Sequence, residues 1–302
     1  MMPEVKIYSI IVSYNGMQCN WIQKCLDSLL TSSVKTEIIV IDNASTDETV
    51  SFIQKNYPRV DLILANENLG FAKANNIGIK KAYEQGADYV FLLNQDAWIE
   101  ESTIKKLAEA FEQLLEAGII SPIHLNGNKT NFDRGFLDYT QYNTPGFASD
   151  QDAGRFQDFY ETTFVNAAAW LISRKCIETV GGFDTLLFYH YGEDRNYCQR
   201  VFYQGLKIYI ATTTTICHDR EERKTAWSSE YKSKRDEVWL CCCYADILSD
   251  DKILHKLKLI LSYNAITKLL KLQIKSFCEQ IALYKKIKKS RTQNKKKGLN
   301  WL

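Results

Sequence analysis

Five side chains in this 302-residue chain have the types and positions to share polar chemistry: Asp42, Asp96, Glu193, Asp194 and His218. Asp96 ends "YVFLLNQD", an apolar run that stops on an acid with no Gly or Pro to make a simple turn. An exposed carboxylate at a strand terminus can ligate Mg²⁺ or Mn²⁺, hard cations that prefer oxygen and cross-link to phosphates. The plain alternative is a cap for the helix begun by "IEESTIKKL", although Glu100 and Ser102 lie closer to it. Glu193 and Asp194 are adjacent in "YGEDRNYCQR", at the start of a predicted helix, where the dipole favours negative charge. An ionised carboxylate held at a cleft is also what a general base needs to deprotonate an alcohol. His218 closes a later strand pattern, where a lone His is more often structural than a ligand. "SYNG" (13–16) and "DNASTD" (42–47) are polar strand-to-helix turns, consistent with nucleotide contacts.

The elements that must position these groups follow from hydrophobic periodicity. "YSIIVSY" (8–14), "EIIVIDN" (37–43), "VDLILANE" (60–67) and "DYVFLLNQDAW" (88–98) read as strands. Between them lie helical patterns: one through Trp21, Cys25, Leu26, Leu29 and Leu30, and one entered at Ser45 as N-cap with Glu48 completing a capping box. A third spans 70–86 between two glycines. This alternation predicts a parallel α/β sheet, which gathers its functional residues where strands end. Asp42 and Asp96 are therefore expected on one crevice. From 126 to 163 the regularity fails in a stretch rich in Phe and Tyr, the pattern of a binding loop or lid. It is expected to meet an acceptor through its aromatic faces, or else to fold over its own cluster. A strand and short helix (164–184), a helix (189–205), a strand (206–219) and a helix (229–248) close the body.

With 45% hydrophobic and 25% charged residues and only four Pro, the chain is not mostly disordered. No run of about twenty apolar residues predicts a membrane-spanning helix. The nine Cys follow no zinc-ligand spacing and the opening residues show no signal peptide. Reduced thiols in a cytoplasmic protein are the expectation. The net charge of +2 hides an asymmetry: residues 252–302 carry 14 Lys or Arg against one acid, and the remainder 24 against 35. Within that tail, apolar residues at 253, 257, 260, 261, 266, 269, 270, 274, 277, 281 and 284 recur at helical intervals beside lysines. A basic amphipathic helix of this kind lies on an anionic membrane, here the inner face of the cell membrane, or packs as a hairpin on the body or in an oligomer. Two units are expected, residues 1–250 and a tail of 251–302. Lysines without Arg or stacking aromatics argue against a nucleic-acid partner.

The order "IIVSYN", "VIDNASTD", "NLGFAKANNIGI", "FLLNQDAWI", "GGFDTLLFYHYGEDRNYCQR" and "CHD" resembles the family-2 glycosyltransferases of the GT-A fold, particularly bacterial rhamnosyltransferase-like members. The resemblance covers about Ile7 to Asp219 and not the tail. It implies a mainly parallel central sheet flanked by helices, with the tail as a C-terminal helical extension. It places Ser13, Tyr14 and Asn15 beside a nucleotide pocket, has Asp42 accept from base or ribose with Asn43 near it, and makes Gly70, Phe71, Ala72 and Asn75 its wall. Asn94, Gln95 and Asp96 match the family's DxD element, with Asp96 on the metal or the diphosphate. Asp194 matches the catalytic base, and His218 a frequent third metal contact.

Asn94 departs from the two-acid form of that element, and an amide is a poorer ligand. The implied Mg²⁺ or Mn²⁺ is then one that binds mainly along with the donor. The resemblance further implies an inverting transfer of rhamnose or a hexose from a dTDP- or UDP-sugar to a saccharide or lipid-linked acceptor in cell-surface polysaccharide synthesis. Two other readings are a degenerate domain that binds nucleotide or glycan without turnover, favoured by Asn94, and a sugar-nucleotide pyrophosphorylase. The latter normally carries a Gly-rich basic N-terminal loop, which "VSYNGMQCN" lacks.

Overall fold

A computed structural model describes residues 5–220, 229–270 and 274–302. The first half is built as its periodicity predicts. Strand β1 (Ile7–Ser13), helix α1 (Trp21–Leu30), β2 (Glu37–Asp42), α2 (Thr49–Asn56), β3 (Asp61–Leu64), α3 (Gly70–Glu84) and β4 (Tyr89–Leu93) follow in turn. β1 lies between β2 and β4, β3 lies outside β2, and all these pairings are parallel. Helix α1 turns Trp21, Ile22, Cys25, Leu26 and Leu29 inward. On the other face α3 packs closely, because Gly78 offers no side chain: a Cβ there would stand 2.6 Å from Ile10 Cγ2.

After β4 the chain reverses through Asn94–Asp96 into the three-residue β5 (Ala97–Ile99), so "DYVFLLNQDAW" is two strands and a turn. Helix α4 (Thr103–Gln113) leads to β6 (Ala117–Leu125), a buried strand that the periodicity had not marked. Residues 126–163 are also more ordered than expected, with α5 (Arg134–Asn143), α6 (Phe147–Asp152) and β7 (Phe159–Glu161). Their aromatics fold over one another: Phe136, Phe147 and Tyr160 are buried with Ile123 and Ile210. Most of the segment thus folds over its own cluster, the second of the two expected outcomes, while Tyr142 stays exposed. β8 (Ala169–Ser173), α7 (Arg174–Val180), α8 (Glu193–Tyr203) and β9 (Lys207–His218) complete the body. Helix α8 starts at Glu193 rather than at 189, behind a left-handed Gly192.

The sheet runs β3-β2-β1-β4-β8-β6-β9-β5. β8 enters antiparallel between β4 and β6, β9 returns parallel to β6, and β5 and β7 pair antiparallel with successive parts of β9. The Ser45 N-cap expectation is not met, since α2 is capped at Glu48. Ser45 instead donates from its hydroxyl to Asp42 Oδ1 at 2.5 Å and from its N–H to Asp42 Oδ2 at 3.0 Å. A carboxylate one strand-end away outcompetes the helix terminus for these donors.

Helices α9 (Ser229–Tyr244), α10 (Lys252–Leu270) and α11 (Ile274–Asn294) form the end of the chain. Leu257 and Leu261 of α10 and Ile287 of α11 are buried against Cys241, Cys242 and Phe188, so the tail has an inner face that packs on the body. The side chains at 269, 270, 274 and 277 lie outside the described residues. No described helix is long and apolar enough to cross a membrane.

The joint between tail and body is polar as well as apolar. Asp184, fully buried, accepts from Leu186 N at 2.9 Å, from Asn294 Nδ2 at 3.1 Å and from the Ser290 hydroxyl. Beyond α11 the Asn300 carbonyl accepts from Gly182 N at 2.8 Å, and a Cβ at Gly181 would stand 2.1 Å from that same oxygen. Asp184→Ala strips four donors of their acceptor, two of them the buried side chains of Ser290 and Asn294, and the expected loss is about 3 kcal/mol of stability. Urea unfolding measures it; an unshifted midpoint would show that α11 does not depend on this contact.

Candidate functional site

A cleft of about 760 Å³ opens along the strand ends of β1 and β4. Its wall includes Tyr14, Asn43, Gly70, Phe71, Asn94, Gln95, Asp96, Asp194 and His218 of the residues expected from sequence. Ser13, Asn15, Asp42, Ala72 and Asn75 do not line it and stand behind that wall. Their bonds explain the placement. Asp42 spends its carboxylate on Ser45. Asn15 accepts from Thr46 N at 2.8 Å, and Asn75 donates to Phe71 O at 3.0 Å inside α3. Ala72 is wholly buried, and Ser13 donates to Gln95 Oε1 at 3.1 Å.

Gln95 clamps two strand ends. Its Oε1 accepts from Tyr14 N at 2.9 Å and its Nε2 donates to Tyr14 O at 2.9 Å. Asn43 does the same for the far side, accepting from Leu69 N at 2.6 Å and donating to Asn68 Oδ1 at 2.9 Å. Asn68 Oδ1 in turn receives the Tyr189 hydroxyl at 3.0 Å. The loop before α8 thus lies against the entrance to α3, where a Cβ at Gly70 (φ +74°) would stand 2.2 Å from Tyr189 O. Only a glycine suits both the left-handed backbone and that approach.

Asp96 is buried, contrary to the exposed carboxylate the sequence suggested, because β5 pairs with the end of β9 and covers it. Asp96 Oδ1 lies 3.5 Å from His218 Nε2, and Asn94 Nδ2 lies 3.5 Å from the same nitrogen. Behind the ring, Arg220 Nε donates to His218 Nδ1 at 3.2 Å, and Asp133 Oδ2 stands 3.6 Å from Arg220 Nε. Nδ1 thus faces Arg220 and Asp133, and Nε2 faces Asp96 and the Asn94 amide. Asp133 and Arg220 carried no sequence signal beyond Arg220 following "CHD". Asp219, in that motif, accepts from Trp21 Nε1 at 3.0 Å and steadies the strand end.

Whether a divalent cation fits was tested on the donor set. Among the described residues no group of three or more His, Cys, Asp or Glu is arranged to hold one. Asp96 and His218 converge as a pair, with the Asn94 amide beside them. Two protein donors suit Mg²⁺ or Mn²⁺ only when diphosphate oxygens and water complete the shell. The residues fit a cation that arrives with a phosphate ligand.

At the same cleft, Glu193 and Asp194 open α8, Glu193 buried and Asp194 half-buried. Burial pushes the Glu193 carboxyl up to about 8, with the adjacent Asp194 charge adding to the rise. Burial raises Asp194 too, opposed by the backbone N–H and guanidinium of Arg195. Arg195 Nα donates to Asp194 Oδ1 at 2.7 Å. Glu193 Oε2 has no hydrogen-bond partner among the described residues. Both carboxyls are thus raised by burial, while the Arg195 donors and the nearby Arg220 favour the ionised form of Asp194, the form a general base requires.

Residues 9–181 match the family described as glycosyl transferase family 2. The chain is 27% identical over 214 residues to the dTDP-rhamnosyl transferase RfbF of Shigella flexneri, covering 70% of this chain and 68% of that protein. In fold it is similar to S. aureus TarS in complex with UDP-GlcNAc, with a TM-score of 0.57 at 17% identity over 82% of this chain and 68% of that one. It is also similar to GalNAc-T7 with UDP, GalNAc and Mn²⁺, with a TM-score of 0.58 at 14% identity, over 78% of this chain and 52% of the other. The mixed α/β architecture, mostly parallel with antiparallel insertions, is the GT-A fold of these neighbours.

Carbonyl ¹³C titration is expected to give Glu193 a midpoint near 8, with Asp194 raised above the usual aspartate range. A Glu193 midpoint in the usual glutamate range would show that water reaches this wall.

Proposed function

Because the chain belongs to glycosyl transferase family 2, we propose that it transfers a sugar, rhamnose or a hexose, from a dTDP- or UDP-linked donor to a saccharide or lipid-linked acceptor. Inversion at the anomeric carbon is the expected course. The observation that carries this reading is the sharing of one cleft by Asp194 and the Asp96–His218 pair. In it, residues 1–250 are the transferase and 251–302 a helical extension. Cell-surface polysaccharide synthesis is the proposed setting, in the cytoplasm at the inner face of the membrane.

Asp194 takes the proton of the acceptor hydroxyl as that oxygen attacks the anomeric carbon. The bond from that carbon to the diphosphate oxygen breaks on the opposite face, and the nucleoside diphosphate leaves with the electron pair. One in-line displacement inverts the centre and needs no covalent sugar-enzyme intermediate. A Mg²⁺ or Mn²⁺ held by Asp96 and His218 would supply positive charge to the leaving diphosphate. Arg220, in the cleft wall, brings a permanent positive charge of the chain's own to the same end. Tyr14, Asn43 and Phe71 line the part of the cleft suited to base and ribose. The names of RfbF and TarS, a dTDP-rhamnosyl transferase and a protein seen with UDP-GlcNAc, support a nucleotide-sugar donor without choosing between them.

Asn94 also favours a second reading, a domain that binds nucleotide without turnover. One experiment separates the two. Asp194→Asn is expected to keep the fold and the thermal shift given by UDP or dTDP with Mn²⁺, and to lower donor turnover about 10²–10⁴-fold. Wild-type turnover should fall as pH drops through the raised midpoint of Asp194, since protonation removes the base. Nucleotide binding with no turnover in the wild-type chain, across donors and acceptors, would leave the binding domain standing.

A further inference from the structure

The two faces of the C-terminal helical pair have different fates. Leu257, Leu261 and Ile287 face the body and are buried. Arg291, also buried, donates to Ser249 O at 2.7 Å and pairs with Asp251 at 2.7 Å. Leu259, Tyr263 and Ile266, spaced i, i+4 and i+7 on α10, are exposed by 60%, 70% and 56%. At 100° per residue they point away from the Leu257–Leu261 stripe. Ile266 and Ile281 line one shallow groove between α10 and α11, so Ile281, itself 41% exposed, opens on the same side. Lys258 lines that groove as well. Lys285 and Lys288, one and two turns beyond Ile281, are exposed.

We infer that this outer face of the helical pair, with Leu259, Tyr263, Ile266 and Ile281 at its centre and lysines around them, is the surface by which the chain docks on an anionic lipid bilayer. The argument is complementarity of two kinds. The apolar side chains reach the acyl boundary from an in-plane helix, and lysine stems extend their ammonium groups to the headgroups beside them. Charge chooses the partner. With 14 basic residues and one acid from 252 to 302, the tail repels a second copy of itself and attracts a negatively charged surface. The inner face has a different duty. Deleting the tail would strip the body of its Leu257, Ile287 and Asp184 contacts, so truncation cannot test attachment. The inference rests on the tail alone and stands apart from the transfer reaction proposed above.

The test uses the full chain and sedimentation with phosphatidylcholine vesicles, either pure or containing about 30% phosphatidylglycerol. Wild-type protein is expected to partition onto the anionic vesicles at least about tenfold more strongly, and to be released by high salt. The pair Leu259→Glu and Ile266→Glu should lower that partition about tenfold or more, while Leu115→Glu, at a still more exposed leucine on the body, should leave it unchanged. Lys285→Gln with Lys288→Gln is a milder second variant that alters no apolar side chain, expected to weaken binding to anionic vesicles alone. Thermal unfolding and nucleotide shifts should match wild type in every variant, which keeps a failed transferase reading distinct from a failed docking surface. Equal vesicle binding by wild type and both outer-face variants would overturn the inference. So would a dimer, seen by sedimentation velocity, that Leu259→Glu and Ile266→Glu dissolve without any vesicle binding.

Discussion

The cleft depends on one short antiparallel ladder. Ala97 pairs with His218 and Ile99 with Ile216, and Asp219 N donates to Asp96 O at 2.9 Å. These bonds join the end of the first half of the sheet to the last strand of the second half. Without them Asp96 would hang from a turn in water and His218 would end a strand with no partner. With them, the two side chains stand 3.5 Å apart in a nearly dry corner, where electrostatic contacts are stronger than at the surface. The ladder is only three residues long, so its register is set elsewhere. The long parallel pairing of β6 with β9 holds that register, and a slip of one residue would turn His218 to the opposite face.

A second constraint places Asp194. The segment from Asp184 to Gly192 has no regular structure of its own and is tied at its ends and its middle. Asp184 is held by Ser290 and Asn294 of α11. Tyr189 meets Asn68 and Gly70 at the cleft, while its neighbour Phe188 is buried in the tail cluster. Consecutive side chains of one loop thus belong to two different packing environments. The left-handed Gly192 then turns the chain into α8 under Cys242 and Val238, where a Cβ would meet their side chains at 2.8 and 2.9 Å. The position of the carboxylates is in this way shared between the first half of the sheet and the C-terminal helices.

The sequence made the strands of the first half legible because long Ile- and Val-rich runs alternate with amphipathic helices. It did not reveal β6, whose "AGIISPIHL" follows a helix directly and carries a Pro, a residue that usually speaks against an inner strand. β5 is too short to have a period. The helices within 126–163 were hidden because they bury only a few aromatics each, against a surface that exists once β6 and β9 have paired. The strand-end acids were legible by position, and Asp96 and Asp194 do share a wall. Asp42 stands behind that wall because Ser45, three residues on, satisfies it locally, an exchange that spacing alone does not foretell. Asp133 and Arg220 escaped for the reverse reason, since their meeting behind His218 joins residues 87 positions apart.

The same electrostatics account for a neutral side chain at position 94. The cleft and its back wall already hold Asp96, Asp133, Glu193 and Asp194, against Arg220 and His218. A further carboxylate at Asn94, 3.5 Å from the imidazole nitrogen that Asp96 also approaches, would add like charge in a place with little water. Such a pair would have to keep a proton or a cation at all times. An amide relieves that repulsion and still presents an oxygen. Under the proposed reaction a cation would bind together with the diphosphate, whose oxygens would complete a shell begun by Asp96 and His218.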